Sequence, residues 1–209
     1  MIRVFGAPPN RTHRVLWMLE EGGLEHELVP LHTAEEVAGC AELARLNPNR
    51  RVPTLVDGDV VVWDSLAINL YLSERYRLLP PEGTAGRAHA VQWSIWAQTD
   101  VDGPMLSLLK SRSGPEPERD LAVEATAETT LRGRLAVLEE ALAGREHLLG
   151  GGFTVADLNV AAVVAPVFLV KIDLHPFPRA RGWLRTALAR PAAQKIFALA
   201  MQGSPAPAG

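Results

Sequence analysis

Apolar and polar positions along the 209-residue chain follow two different regimes. In the first third, short apolar runs alternate with helix-spaced segments. Residues 2–5 (IRVF) read as a strand. Residues 12–21 place Val15, Leu16 and Leu19 on one helical face, and Gly22-Gly23 stops the helix. A second strand is predicted over 27–31, and a second helix over 35–46, ended by Asn47-Pro48. Residues 54–56 and 60–63 form two more short strands. Asp57-Gly58 lies between them, a strong hairpin signal because type I′ turns need positive φ. Asp64-Ser65 then opens a helix to Tyr76, whose Leu66, Ile68, Leu70, Tyr71 and Leu72 cover a broad face. The order β-α-β-α-β-β-α predicts a small mixed sheet: one crossover pair, then a hairpin, with helices packed on it.

The pattern changes after residue 77. A Pro- and Gly-rich stretch over 78–87 reads as a linker, and no convincing strand follows it. Residues 87–111 predict a long helix, 113–120 (SGPEPERD) a turn, and 121–143 an antiparallel return. The apolar segment that follows predicts a buried helix over 155–169. The last helical stretch divides at Pro191, and the tail at 203–209 is expected to fray. The fold class is therefore α/β plus all-α: a first domain over 1–77, the linker, and an all-helical domain over 88–209.

Composition narrows the function. The chain is 47% hydrophobic and 22% charged, as ordinary globular proteins are. A net charge of −3 gives no reason to expect nucleic acid or an anionic membrane as partner. The longest apolar run, 160–170, is too short to span a bilayer and is broken by Pro166. The first residues lack the basic-then-apolar pattern of a secretory leader. A single cysteine, Cys40, forms no intrachain disulfide and fits a reducing, cytoplasmic setting. No P-loop, dinucleotide fingerprint or metal-ligand spacing is present.

Four stretches could carry chemistry. In RRVPTL, Pro53 starts a strand. A trans bond at an edge strand is one reading; a cis bond turning Val52 outward, so that its backbone pairs with a peptide-like ligand, is the other. In WDSLAI, Asp64 and Ser65 either cap a helix, or bind an α-amino-acid head group through a carboxylate and a helix N-terminus. In FTVADL, Thr154 and Asp157 have the spacing of a structural capping box. GAPPNRTHRV, residues 6–15, is either a plain turn or a place where polar groups and a helix N-terminus are aimed at something.

In this order, with LLPP after the first domain and RPA near the end, these motifs resemble a cytosolic glutathione S-transferase over residues 1 to about 200. The resemblance is to bacterial theta- and nu-like members. It implies a thioredoxin-like first domain, and a homodimer binding glutathione as co-substrate without a metal. Pro53 would be cis, Val52 would pair with the cysteinyl backbone, Arg51 would lie near the glycine end, and Asp64 and Ser65 would hold the γ-glutamyl head group. Asp100 or Asp102 of a neighbouring subunit is a further candidate for that head group. The family's Ser, Tyr or Cys at the first helix hydrogen-bonds the sulfur; counting back from Arg14, this position holds Asn10. Asn10 and Thr12 are the catalytic candidates, with simple capping and turn roles as the alternatives, and His13 and Arg14 are expected on the helix surface. Arg50 replaces a frequent Gly, which strains the loop if φ is positive there. The thiolate would attack a small hydrophobic electrophile between the domains, in a detoxification role, with Trp96, Met105 and Leu106 as candidate pocket wall. Disulfide reduction or peroxidase chemistry, and a non-catalytic binding protein, are the alternatives.

Overall fold

The computed structural model describes residues 1–113 and 119–202. The turn expected at 113–120 falls largely, and the tail at 203–209 wholly, outside the described residues. The described residues divide into two compact units: one formed by residues 1–78 with 190–202, the other by the described part of Leu79–Ala189.

The first unit runs β1 (Ile2–Phe5), α1 (Thr12–Glu21), β2 (His26–Val29), α2 (Ala34–Gly39), α3 (Ala41–Leu46), β3 (Thr54–Asp57), β4 (Val60–Trp63) and α4 (Ser65–Tyr76). The sheet order is β2-β1-β3-β4. β1 and β2 are parallel; β1–β3 and β3–β4 are antiparallel. This is the crossover-plus-hairpin sheet that the pattern predicts. Phe5, Leu31 and Leu43 form one core cluster, flanked by Val29, Val37, Cys40, Leu46, Val52 and Val56.

Three local expectations change. The helix expected over 35–46 is two helices, because Cys40 takes an extended conformation (φ −76°, ψ 96°) and its Sγ caps α3 by accepting from Leu43 N–H. In the β3–β4 hairpin Asp57 pairs with Val60, so the two-residue loop is Gly58-Asp59. Positive φ falls on Gly58 (60°) and not on Asp57 or Asp59, which has the φ signs of type II′ rather than I′. α1 buries Arg14, Val15, Leu16, Trp17, Met18 and Leu19, rather than one face, because it packs against both α4 and the C-terminal helix α10 (Pro191–Gln202). Arg190 anchors that packing through a bidentate pair with Glu21, both contacts 2.7 Å, and Trp17 Nε1 donates to the same carboxylate. Burial alone would raise the Glu21 carboxyl; the Arg190 and Trp17 hydrogen bonds outweigh it and hold it below the usual range.

Every regular element among the described residues of the second unit is helical. α5 (Gly83–Trp96) starts inside the expected linker and continues through a π-helical segment, Ala97–Val101, into α6 (Asp102–Ser113). α7 (Leu121–Ala141) returns against α6. α8 (Val155–Val164) is buried along its length and tightens into a 3-10 turn at Ala165–Phe168, short of the expected end. α9 (Pro178–Leu188) completes the unit. The FTVADL capping box forms: Asp157 accepts from Thr154 N–H at 3.0 Å. The same carboxylate accepts from Leu148 N–H and Trp183 Nε1.

Candidate functional site

Register brings three loops to one end of the sheet. Phe5 pairs with Thr54, and Thr54 pairs with Trp63. The residues that follow β1 (6–11), precede β3 (51–53) and follow β4 (Asp64-Ser65) therefore emerge side by side. Gly6 marks the closest approach. It has φ 125°, and a Cβ there would lie 2.2 Å from Thr12 Oγ1 and 3.0 Å from Val52 Cβ. Only glycine lets the α1 loop and the Val52 strand start close on each other in this way.

Asn10 and Thr12 form a linked pair at the start of α1. The Asn10 Oδ1 accepts from Thr12 N–H at 2.9 Å and from Thr12 Oγ1 at 2.5 Å. A backbone N–H can only donate, so the amide oxygen must face Thr12 and the NH2 group must face away. That NH2 has no hydrogen bond to the described residues. Thr12 is fully buried and its hydroxyl is committed to Asn10, so it supports the Asn10 amide. No acidic side chain lies in the first turn of α1, which leaves the positive end of the helix without a carboxylate neighbour on that turn.

His13 and Arg14 depart from the expected surface positions. Arg14 is 4% exposed, and the His13 ring packs on Phe197 of α10 with centroids 5.4 Å apart. The cause is non-local: α10 covers this side of α1. Burial, and then the neighbouring Arg14 charge, push the His13 imidazolium down to about 4, so the ring is neutral at pH 7. Its Nδ1 lies 2.7 Å from the Asn10 carbonyl oxygen.

The Val52-Pro53 peptide is cis. Asn47, 1% exposed, pins the segment before it: its Nδ2 donates to the Arg51 carbonyl and to Thr54 Oγ1, both at 3.0 Å. The Arg51 side chain is exposed. Arg50 has φ 48°, the left-handed conformation that the glycine replacement warned of. Across the site, Asp64 holds φ 75° while its carboxylate accepts from Leu66 N–H at 3.1 Å. Ser65 is buried, and its Oγ has no hydrogen-bond partner among the described residues. Asp64 therefore does cap α4, and the unpaired Ser65 hydroxyl is more than capping needs. Gly6 and Asn47 escaped the sequence reading as site residues. An Asn directly before Pro48 and a Gly directly after a predicted strand were the available signals.

Two family models match the chain: glutathione S-transferase, N-terminal domain, over residues 1–74, and glutathione S-transferase, C-terminal domain, over residues 102–191. The chain belongs to the glutathione S-transferase family. It is 30% identical to glutathione S-transferase 3 of Zea mays, over 94% of this chain and 93% of that one. It is 28% identical to a disulfide-bond oxidoreductase of Escherichia coli (strain K12), over 97% of each. Among solved structures, the theta class glutathione S-transferase of Xanthomonas axonopodis pv. citri, with glutathione bound, superposes with a TM-score of 0.85. It shares 31% identity and covers 93% of this chain and 95% of that one.

The remaining candidates of this glutathione S-transferase family member lie in its helical unit. Trp96 and Met105 line an apolar recess with Val101, Leu131, Leu135 and Leu138, whereas Leu106 points outward at 43% exposure. Trp93 meets Trp96 edge-on, ring centroids 5.1 Å apart. Asp100 pairs with Arg134 at 2.8 Å, and Asp102 is buried with Gln98 donating to it. Among the described residues no group of His, Cys, Asp and Glu could hold a metal ion, and no helix is long and apolar enough to cross a membrane.

Proposed function

We propose that this chain is a glutathione transferase that stabilises the glutathione thiolate for attack on a small hydrophobic electrophile. The single observation that carries the reading is the orientation of Asn10. Its amide oxygen is held by two donors from Thr12, and its NH2, at the N-terminus of α1, has no hydrogen bond to the described residues. A donor hydrogen bond and a helix dipole both favour thiolate over thiol. Val52, Pro53 and Arg51 would bind the cysteinyl and glycine parts of glutathione, and Asp64 and Ser65 the γ-glutamyl head group. The Ser65 hydroxyl, buried and without a hydrogen-bond partner among the described residues, supports that assignment. Trp96, Met105 and Leu106 are the proposed contacts for the electrophile. The protein would act as a cytoplasmic homodimer in detoxification.

A second reading is favoured by one feature of the loop. Asn10 offers a proton donor but no ionisable group, so it stabilises a sulfur anion without supplying a nucleophile of its own. Such a site also serves glutathione-dependent disulfide or peroxide reduction, and a relative 28% identical carries a disulfide-bond oxidoreductase name.

The test is Asn10→Ala in the full chain. Glutathione should still bind, while the bound thiol loses the depressed pKa it has in the parent protein and the rate with a chloronitroaromatic falls about tenfold or more. This corresponds to one hydrogen bond to a charged group, about 1.5–3 kcal/mol. An unchanged thiol pKa would remove Asn10 from the mechanism. Comparing rates with a chloronitroaromatic and a model disulfide separates the two readings.

A further inference from the structure

His13 has no part in the scheme above, yet it grips the residue at its centre. Asn10 is held at both ends. Its side-chain oxygen takes the two Thr12 donors, and its main-chain carbonyl takes the His13 backbone N–H at 3.1 Å and lies 2.7 Å from His13 Nδ1. A carbonyl only accepts, so Nδ1 carries the proton in that contact and the lone pair of the neutral ring sits on Nε2. Nε2 is out of contact with solvent and has no hydrogen-bond partner among the described residues. Phe197 lies against the ring and Arg14 is its buried neighbour. A lone pair sealed in this way is not placed to take a proton from a thiol. What remains as the polar role of the side chain is hydrogen bonding to the loop backbone, to the Asn10 carbonyl first and to Pro9 second.

We propose that His13 is a positioning residue: its Nδ1–H pins the Asn10 carbonyl and so aims the Asn10 side-chain amide at the glutathione sulfur. The proposal rests on the thiolate role given to Asn10. Both the neutral ring and the imidazolium carry the Nδ1 proton, so the pin holds in either state. A His acting as general base would instead put a break in the rate at its own titration. Burial and the Arg14 charge keep this His neutral throughout the working range. Charged or polar groups at this end of the unit include Arg11 on the same loop, Asp64 and Ser65, and Arg50, Arg51, Asn47 and Thr54 around the β3 start.

The experiment compares His13→Leu and His13→Asn with the parent protein. The Asn side-chain nitrogen overlies imidazole Nδ1 and preserves the donor. Glutathione affinity is read by calorimetry, and the pKa of the bound thiol by ultraviolet thiolate absorbance. His13→Leu should raise the bound thiol pKa by about one unit, tenfold less thiolate at fixed pH, with affinity changed less than about threefold. His13→Asn should recover most of the thiolate. Equal thiol pKa values in all three proteins would overturn the proposal, as would an affinity loss in both variants with no pKa change, which is the mark of a merely structural residue. A parent protein that binds glutathione without lowering its thiol pKa defeats the thiolate reading itself, and the proposal with it. Nitrogen-15 NMR of the unliganded parent reads the pin directly, and stands even where His13→Leu does not fold. An Nδ1–H tautomer supports the contact, and an Nε2–H tautomer overturns it while leaving the thiolate reading intact.

Discussion

Replacing Gly6 by Ala tests the closure of the site. The new methyl group would sit 2.2 Å from Thr12 Oγ1 and 3.0 Å from Val52 Cβ, on a backbone at φ 125°. Neither neighbour yields easily. Thr12 is fully buried and tied to Asn10 through its N–H and its hydroxyl, and Val52 packs on the Phe5 cluster. Two costs add: a backbone conformation that L residues rarely adopt, about 1–3 kcal/mol, and overpacking, about 1–3 kcal/mol. The expected loss is therefore about 2–6 kcal/mol, a large share of a typical stability of about 5–15 kcal/mol. Gly58→Ala is the control. Gly58 also has positive φ, 60°, but nothing lies within 4 Å of its added Cβ, and it sits at the opposite end of the sheet. It should lose only the backbone part, about 1–2 kcal/mol. Urea denaturation of both variants, with unchanged slopes, gives the difference. Gly6→Ala should also weaken the thiolate signal of bound glutathione, and Gly58→Ala should not. If the two variants lose equal stability, the crowding at Gly6 is not real and the site does not close as described.

Two further expectations concern groups away from the loop. Asp157→Ala should cost about 3–5 kcal/mol, measured by thermal or urea unfolding. It removes the acceptor for Thr154 N–H, Leu148 N–H and Trp183 Nε1 in a fully buried place. The chain has only two tyrosines, and both donate to Asp57, Tyr71 at 2.9 Å and Tyr76 at 2.6 Å. The Asp57 hydrogen bond, then burial, push the Tyr76 phenol up to about 12, and burial, then Asp57, raise Tyr71. The folded phenols hold their protons more tightly than unfolded ones. The stability this adds is full below the unfolded value of about 10 and is lost as pH rises through the folded values. Ultraviolet titration should show both phenols ionising late, and Asp57→Asn should bring them back towards about 10. Titration of either phenol near its ordinary value in the parent protein would contradict the contacts.

What the sequence could reveal depended on how local its cause was. β1 and β4 rest on short apolar runs, and the Thr154 cap on a side chain three residues from its target, so they could be read directly. The packing of His13 rests on Phe197 of α10, and a contact at Arg14 comes from Asn69 of α4, so no window over residues 6–21 contains either. The break at Cys40 was hidden because apolar spacing continues across it, and cysteine is not among the usual capping residues. The Asn10 position could be counted from Arg14, but the direction of its amide could not, since that follows from a hydrogen bond to the next turn.

Arg50 shows both sides of this limit. An Arg where glycine is frequent predicts strain, and the backbone there does keep the left-handed conformation, at φ 48°. Conformational preference alone would have let the loop relax, because an L side chain there costs about 1–2 kcal/mol. It does not relax because Asn47 holds the loop from several directions. Its carbonyl accepts from Arg50 N–H, its Oδ1 accepts from Asn49 N–H, and its Nδ2 reaches Arg51 and Thr54 on the far side. A buried amide with those partners outweighs the preference of one exposed side chain. The loop geometry that sets Arg51, Val52 and Pro53 at the end of the sheet therefore depends on Asn47 rather than on the residue at position 50. This is how the chain can lose a glycine there and still keep the strand start in place.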